Sequence, residues 1–216
     1  MTDPSPTAEP GIVVSGQGAV AGTPDIASIS LGVSVKRGQA PAAMTDAAAA
    51  ATRVLEALKA AGIADSDLQT RDYALTQEFA YLPDAAPRPD GFRVTNTVVA
   101  TVRTPADAGT ILDAAVAAGG DDAVVQGISF GLGDDAGAKI AARDLAFADA
   151  RAKAEQLARL SGRTLGPVVS INETSGSAGF GPMVRVKMAD DAASTPIQAG
   201  EIETTVTVDV RWSLGD

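Results

Sequence analysis

The sequence predicts an α/β protein of the α+β type, with a largely antiparallel mixed sheet and about three helices packed on it. Three observations predict this. Ile29, Leu31, Val33 and Val35 alternate with Ser28, Ser30, Gly32 and Ser34, the signature of a strand with one buried face. Near the other end, Ile202, Thr204, Val206, Val208, Val210, Trp212 and Leu214 alternate as cleanly with Glu201, Glu203, Thr205, Thr207, Asp209, Arg211 and Ser213. Between these strands lie Ala-rich stretches whose apolar residues recur at helical spacing. Strands gather around the first helix and again around the third, a two-part, βαβ-like plan without residue-level repetition.

Taken in order, Met1–Pro10 is polar, Pro-rich and without the apolar centre of a signal peptide, and is expected to be a flexible leader. A single domain is expected over residues 11–216. A strand at Ile12–Val20 leads through Gly22-Thr23-Pro24 into a second at Asp25–Lys36, a connection short enough to predict a hairpin. A helix follows over Ala40–Ala61, where Met44, Ala47 and Ala48, Ala51, Val54 and Leu55, and Leu58 recur at helical spacing. Pro41 suits its first turn and Gly62 the left-handed residue past its end. The third strand, Asp67–Tyr81, alternates Tyr73, Leu75, Phe79 and Tyr81. Its partner, Phe92–Arg103, carries Phe92, Val94, Val98, Ala100 and Val102 on one face. Residues 82–91 between them form a Pro-rich loop, expected to be mobile.

Thr104-Pro105-Ala106-Asp107 reads as a helix start with a hydroxyl cap, and Gly119-Gly120 as its end. A strand at Ala123–Leu132 precedes the longest helix, Asp135–Ser161, for which Ala141, Leu145, Ala148, Ala152, Leu157 and Leu160 form the expected buried stripe. Asp149–Lys153, Arg151–Glu155 and Glu155–Arg159 can pair at i,i+4 on its other side. A strand at Leu165–Ile171 is followed by a Gly- and Ser-rich loop at 172–182, a short strand at Met183–Met188 and a second loose loop at 189–200, both loops expected to be mobile.

Composition excludes several chemistries. Only 4% of the residues are aromatic against 45% hydrophobic, so Val, Ile, Leu and Ala must fill the core. The chain holds no Cys and no His, which removes disulfides, thiol nucleophiles, imidazole bases and structural zinc sites within one chain. A net charge of −10, with no basic stripe interleaved with aromatics, argues against nucleic acid as a partner. No apolar run approaches the roughly 20 residues that span a bilayer, which leaves peripheral association with the envelope open.

Few residues invite a functional reading. Gly16-x-Gly18 lacks the third glycine and the following helix of a dinucleotide loop, and suits a bulge or close strand approach. Pro24 fixes the entry to its strand, and Asp25 can accept backbone N–H bonds in the turn. Asn96 falls on an apolar face between Val94 and Val98, where a buried amide is expected to tie the strand to a helix or loop. A ligand contact is the alternative at Asn96. The pairs Asp121-Asp122, Asp134-Asp135 and Asp190-Asp191 lack the D-x-D-x-D-G spacing of a calcium loop, and no metal is expected. Asp134 and Asp135 suit the start of the longest helix. Tyr73, Phe79, Tyr81 and Phe92 cluster on one hairpin of an aromatic-poor chain, either as ordinary cross-strand packing or as a protruding subunit interface. No catalytic or cofactor-binding residue stands out.

The order S-G-x-G at Ser15–Gly18, then Pro24-Asp25-x-Ala27 and an alternating strand resembles the opening of the SIMPL family. Gly62-Ile63, Asp67-Leu68-Gln69-Thr70, the strand around Asn96, Gly127-Ile128-Ser129-Phe130, the Ala-rich helix to Gly162 and the strand entered through Gly200-Glu201 follow in family order. At Gln198-Ala199-Gly200 the family tends to place a proline before the glycine, a departure confined to a loop. The resemblance implies a mixed α/β fold, a periplasmic location, ring-like homo-oligomers in some members and a link to oxidative stress. It implies no catalytic residues. The expected function is therefore a non-enzymatic, self-assembling periplasmic protein concerned with the envelope or with stress. The alternative is a binding module that holds a small molecule or partner protein between subunits.

Overall fold

The computed structural model describes residues 11–81, 83, 86–174 and 195–216. In chain order these form β1 (Gly11–Gly22), β2 (Ile26–Arg37), α1 (Ala40–Ala60), β3 (Leu68–Ala80), β4 (Arg88–Val102), α2 (Ala108–Gly119), β5 (Ala123–Gly131), α3 (Ala136–Leu160), β6 (Thr164–Thr174) and β7 (Ile202–Gly215). The fold is α+β, but the strands make two antiparallel sheets rather than one. The chain over 11–216 accordingly divides into two compact units, one around α1 and one around α3. The strand expected at Met183–Met188 and the pair Asp190-Asp191 lie outside the described residues.

The first unit holds the sheet β3-β4-β2-β5 with α1 and α2 on one face. Alternation places Ala27, Ile29, Leu31, Val33 and Val35 of β2 beside Val94, Val98, Ala100 and Val102 of β4, all buried. Helix α1 covers them with Ala43, Ala47, Ala50, Ala51, Val54 and Leu58. Each fully buried Val, Leu or Ile contributes roughly 1.5–3 kcal/mol relative to exposure. Met44, expected inside, is exposed, because the inward stripe runs through the smaller Ala43 and Ala47. Gly62 closes α1 with φ 92°, a conformation glycine adopts without steric cost. Thr104 makes no side-chain cap; Pro105–Asp107 forms a 3-10 turn that leads into α2.

The second unit holds the sheet β1-β7-β6 with α3 against it. β1 pairs with β7 along its whole length, Gly11 opposite Ser213 through Gly22 opposite Ile202. The hairpin expected between β1 and β2 is therefore absent: the three residues between them pass from one unit to the other. Helix α3 buries Ala142, Ala146, Ala150, Ala154 and Ala158, whereas Leu145, Leu157 and Leu160 of the expected stripe are exposed. The small stripe lets α3 approach its sheet closely. Lys153 pairs with Asp149 and Glu155 with Arg151, while Arg143 reaches across to Glu173 of β6. Glu155 is thus engaged toward the helix start, and no Glu155–Arg159 pair forms among the described residues.

All three loop expectations change as well. β4 begins at Arg88, inside the expected 82–91 loop, and β6 extends to Thr174, inside the expected 172–182 loop. Residues 195–200 are anchored rather than loose. Both the N–H (2.8 Å) and the hydroxyl (2.5 Å) of Thr195 donate to the Asp113 carboxylate on α2. Ile197 packs against the core around Ile29 and Leu31.

Candidate functional site

The β3–β4 hairpin carries the candidate interface. In register, Tyr73 lies opposite Asn96 and Leu75 opposite Val94, so both share the face on which α1 covers β2 and β4. β3 is the edge strand of its sheet, and its large apolar side chains are left exposed. The outcome is a group of apolar side chains in contact with water: Tyr73 (52% exposed), Leu75 (42%), Phe79 (44%) and, past the strand end, Tyr81 (78%). Phe92 does not join them. It is half-buried against Val35, Ala43, Ala47 and Val94, in the core beneath α1.

The opposite face of the hairpin is held by charge. Glu78 accepts from the Arg93 guanidinium and lies 3.1 Å from Lys36, which reaches Asp90 at 2.5 Å. The Arg93 hydrogen bond first, and the Lys36 contact second, hold the Glu78 carboxyl at about 2, well below its ordinary value. The same network raises Lys36, chiefly through its hydrogen bond to Asp90. Arg93 also donates to the Ser34 hydroxyl at 3.0 Å. β2, β3 and β4 are thereby tied at their hairpin end.

The other singled-out residues are scattered. Gly16 and Gly18 sit in an unbroken ladder with β7, so neither marks a bulge. They face α3 instead: a Cβ at Gly16 would fall on the Ala146 carbonyl and 2.5 Å from Ala150 N, and one at Gly18 would fall on the Ala142 carbonyl. The close approach is to a helix, not a strand. Pro24 is buried, and the Asp25 carboxylate accepts the Gly133 N–H at 2.6 Å, from a residue over a hundred positions away rather than in its own turn. Asn96 is partly buried, and its Oδ1, shielded from water, has no hydrogen-bond partner among the described residues, so it makes no such tie to helix or loop. Asp134 accepts the Ala136 N–H at the start of α3, and Asp135 pairs with Lys139. Leu75 belongs to the exposed group and is the residue missed as an interface candidate, although it stands in the same alternation as Tyr73.

The SIMPL family model, described as "Protein of unknown function (DUF541)", matches residues 12–212. The chain belongs to the SIMPL family. This SIMPL chain is 36% identical over 214 residues to the "26 kDa periplasmic immunogenic protein" of Brucella melitensis, covering 94% of this chain and 84% of that one. It is 30% identical over 208 residues to "Uncharacterized protein YggE" of Escherichia coli K12, covering 95% and 83%. The protein of that name in Edwardsiella ictaluri is 28% identical over 162 residues, 75% of this chain and 67% of that one. No described helix of this SIMPL protein is long and apolar enough to cross a membrane.

Proposed function

We propose that this SIMPL protein is a non-enzymatic periplasmic protein that self-assembles and serves envelope maintenance or protection against oxidative stress. The observation that carries self-assembly is the exposure of Tyr73, Leu75 and Phe79 on an edge strand and of Tyr81 just past its end. Edge strands offer unpaired backbone groups, and natural proteins normally blunt them; an edge lined with aromatic side chains invites a second copy. The periplasmic part rests on the name of the Brucella relative. The non-enzymatic part rests on the lack of His and Cys and of any recognisable nucleophile motif. Stress protection by direct chemistry would fall on few residues, since the chain has four Met and one Trp, and Trp212 is buried. An indirect role as part of an assembly suits this composition better.

Light scattering on a sizing column, across protein concentration, tests the proposal. A stable mass that is a multiple of 21.7 kDa is expected. Replacing Phe79 and Tyr81 together with Ser should shift that mass toward the monomer while circular dichroism stays unchanged. A strict monomer, or an assembly indifferent to the double substitution, overturns the proposed interface. In a strain lacking the protein, the intact chain should restore peroxide tolerance and the double variant should not.

A further inference from the structure

The face of the four-stranded sheet opposite α1 and α2 bears a hollow of about 310 Å³ to which every strand contributes: Arg71 of β3, Val99 of β4, Ser28 and Ser30 of β2, and Gln126 to Ser129 of β5. That volume is at the lower end of the roughly 300–1,000 Å³ range of small-molecule sites. Two β-bulges shape it. The ladder between β3 and β4 slips between Thr70 and Asp72, so Arg71 is the extra residue. The ladder between β2 and β5 slips at Ser30/Leu31, so Gln126 is the extra residue there. Both slips flank one rung, for Thr70 lies opposite Val98, Val98 opposite Leu31, and Leu31 opposite Val125. Bulges re-aim side chains, and these two stand on either side of the same hollow.

The polar groups there are unequally satisfied. Gln126 is fixed: its Oε1 accepts from the Ser30 hydroxyl at 3.1 Å, and its Nε2 donates to the Thr97 hydroxyl at 2.8 Å. Arg71 has no carboxylate partner among the described residues, unlike Lys36 and Arg93 nearby. Ser28 and Ser129 lie directly opposite one another, and neither side chain makes a hydrogen bond among the described residues. The hollow thus offers a guanidinium and two uncommitted hydroxyls, with no carboxylate in its lining.

We propose that this hollow binds a small organic monocarboxylate, with Arg71 gripping the carboxylate and Ser28 and Ser129 lining the far end of the hollow. The planar fork of a guanidinium matches the two oxygens of a carboxylate. One positive charge, on a protein of net charge −10, balances a monoanion and not a phosphate or a polyanion. Val99, which faces outward opposite Ser30, supplies apolar wall for a short hydrocarbon chain. A Cβ added at Gly127 would meet nothing within 4 Å, so the space beside it is open to ligand.

Saturation-transfer NMR on the full chain, with butyrate as the probe, tests the assignment. Butyrate should bind saturably, while neutral butyramide and inorganic phosphate should bind at least about tenfold more weakly. Arg71→Ala should weaken butyrate about tenfold or more, and Arg71→Lys by less, because the ammonium keeps the charge without the fork. Gly127→Val should block binding by filling the hollow, in a position where the added atoms have room. No saturable binding overturns the proposal. So does butyramide or phosphate binding as well as butyrate, or Arg71→Ala and Gly127→Val leaving the butyrate signal intact.

Discussion

Gly16 and Gly18 place the backbone of β1 where the carbonyls of Ala142 and Ala146 would meet any side chain. Substitution there forces α3 away from the sheet. Gly16→Ala or Gly18→Ala is expected to cost about 1–3 kcal/mol, read as a lowered denaturant midpoint. A midpoint equal to that of the parent would mean that the helix gives way freely. Glu78 supplies a second residue-scale test. Its carboxyl is held below the ordinary 4.5, at about 2, by Arg93 and then Lys36. A lowered folded-state value means that its contribution is present above 4.5 and is lost as pH falls toward about 2. Thermal midpoints of the parent should drop across that window more steeply than those of Glu78→Gln, and parallel curves would remove Glu78 as the source.

At the scale of elements, α3 turns on the size of its buried side chains. Ala150→Leu should overpack the seam with β1 and cost about 1–3 kcal/mol, while Leu160→Ser on the exposed side should stay within about 0.5 kcal/mol, both by equilibrium unfolding. The reverse order would restore the leucine stripe. That stripe is the natural sequence reading because leucine outweighs alanine in any apolar count. What decides the seam is complementarity with the two glycines of β1, which lie far away in sequence. Strands β2, β4 and β7 are legible because one-sided burial imposes a period of two on each. The partner of β1 is not, since a short connection argues for β2 and only tertiary packing selects β7. Within the candidate interface, alternation marks Tyr73 but cannot tell that it is left exposed on β3 while α1 covers Phe92. Arg71 is hidden for a related reason: a bulge appears in the pairing of strands, not in the residues of one.

For the whole molecule, charge opposes association. Two copies of a chain of net charge −10 repel one another, and raising the salt from about 0.01 M to 0.15 M shortens the screening length from about 30 Å to about 8 Å. Association through an apolar edge should therefore strengthen with salt, with the assembled fraction in sedimentation or light scattering rising over that range. A fall would point to an interface built on ion pairs. The two-part plan is legible in outline, because strands cluster around α1 and around α3. Its division into separate sheets is not, since that depends on which strands skip their neighbours.

The pairing of β1 with β7 also bears on how the chain matures. β7 is the central strand of its sheet, flanked by β1 and β6, yet residues 202–215 are synthesised after both. Until they emerge, β1 and β6 have no common partner, and the Ala-rich seam of α3 lacks the central strand it packs on. Residues 24–133, by contrast, already contain all four strands of the other sheet and both of its helices. Synthesis therefore passes through a stage in which one half of the chain is complete and the other waits on its last strand. That late closure, across the longest separation in the sequence, makes a nascent chain halted short of residue 202 a natural substrate for chaperones and proteases.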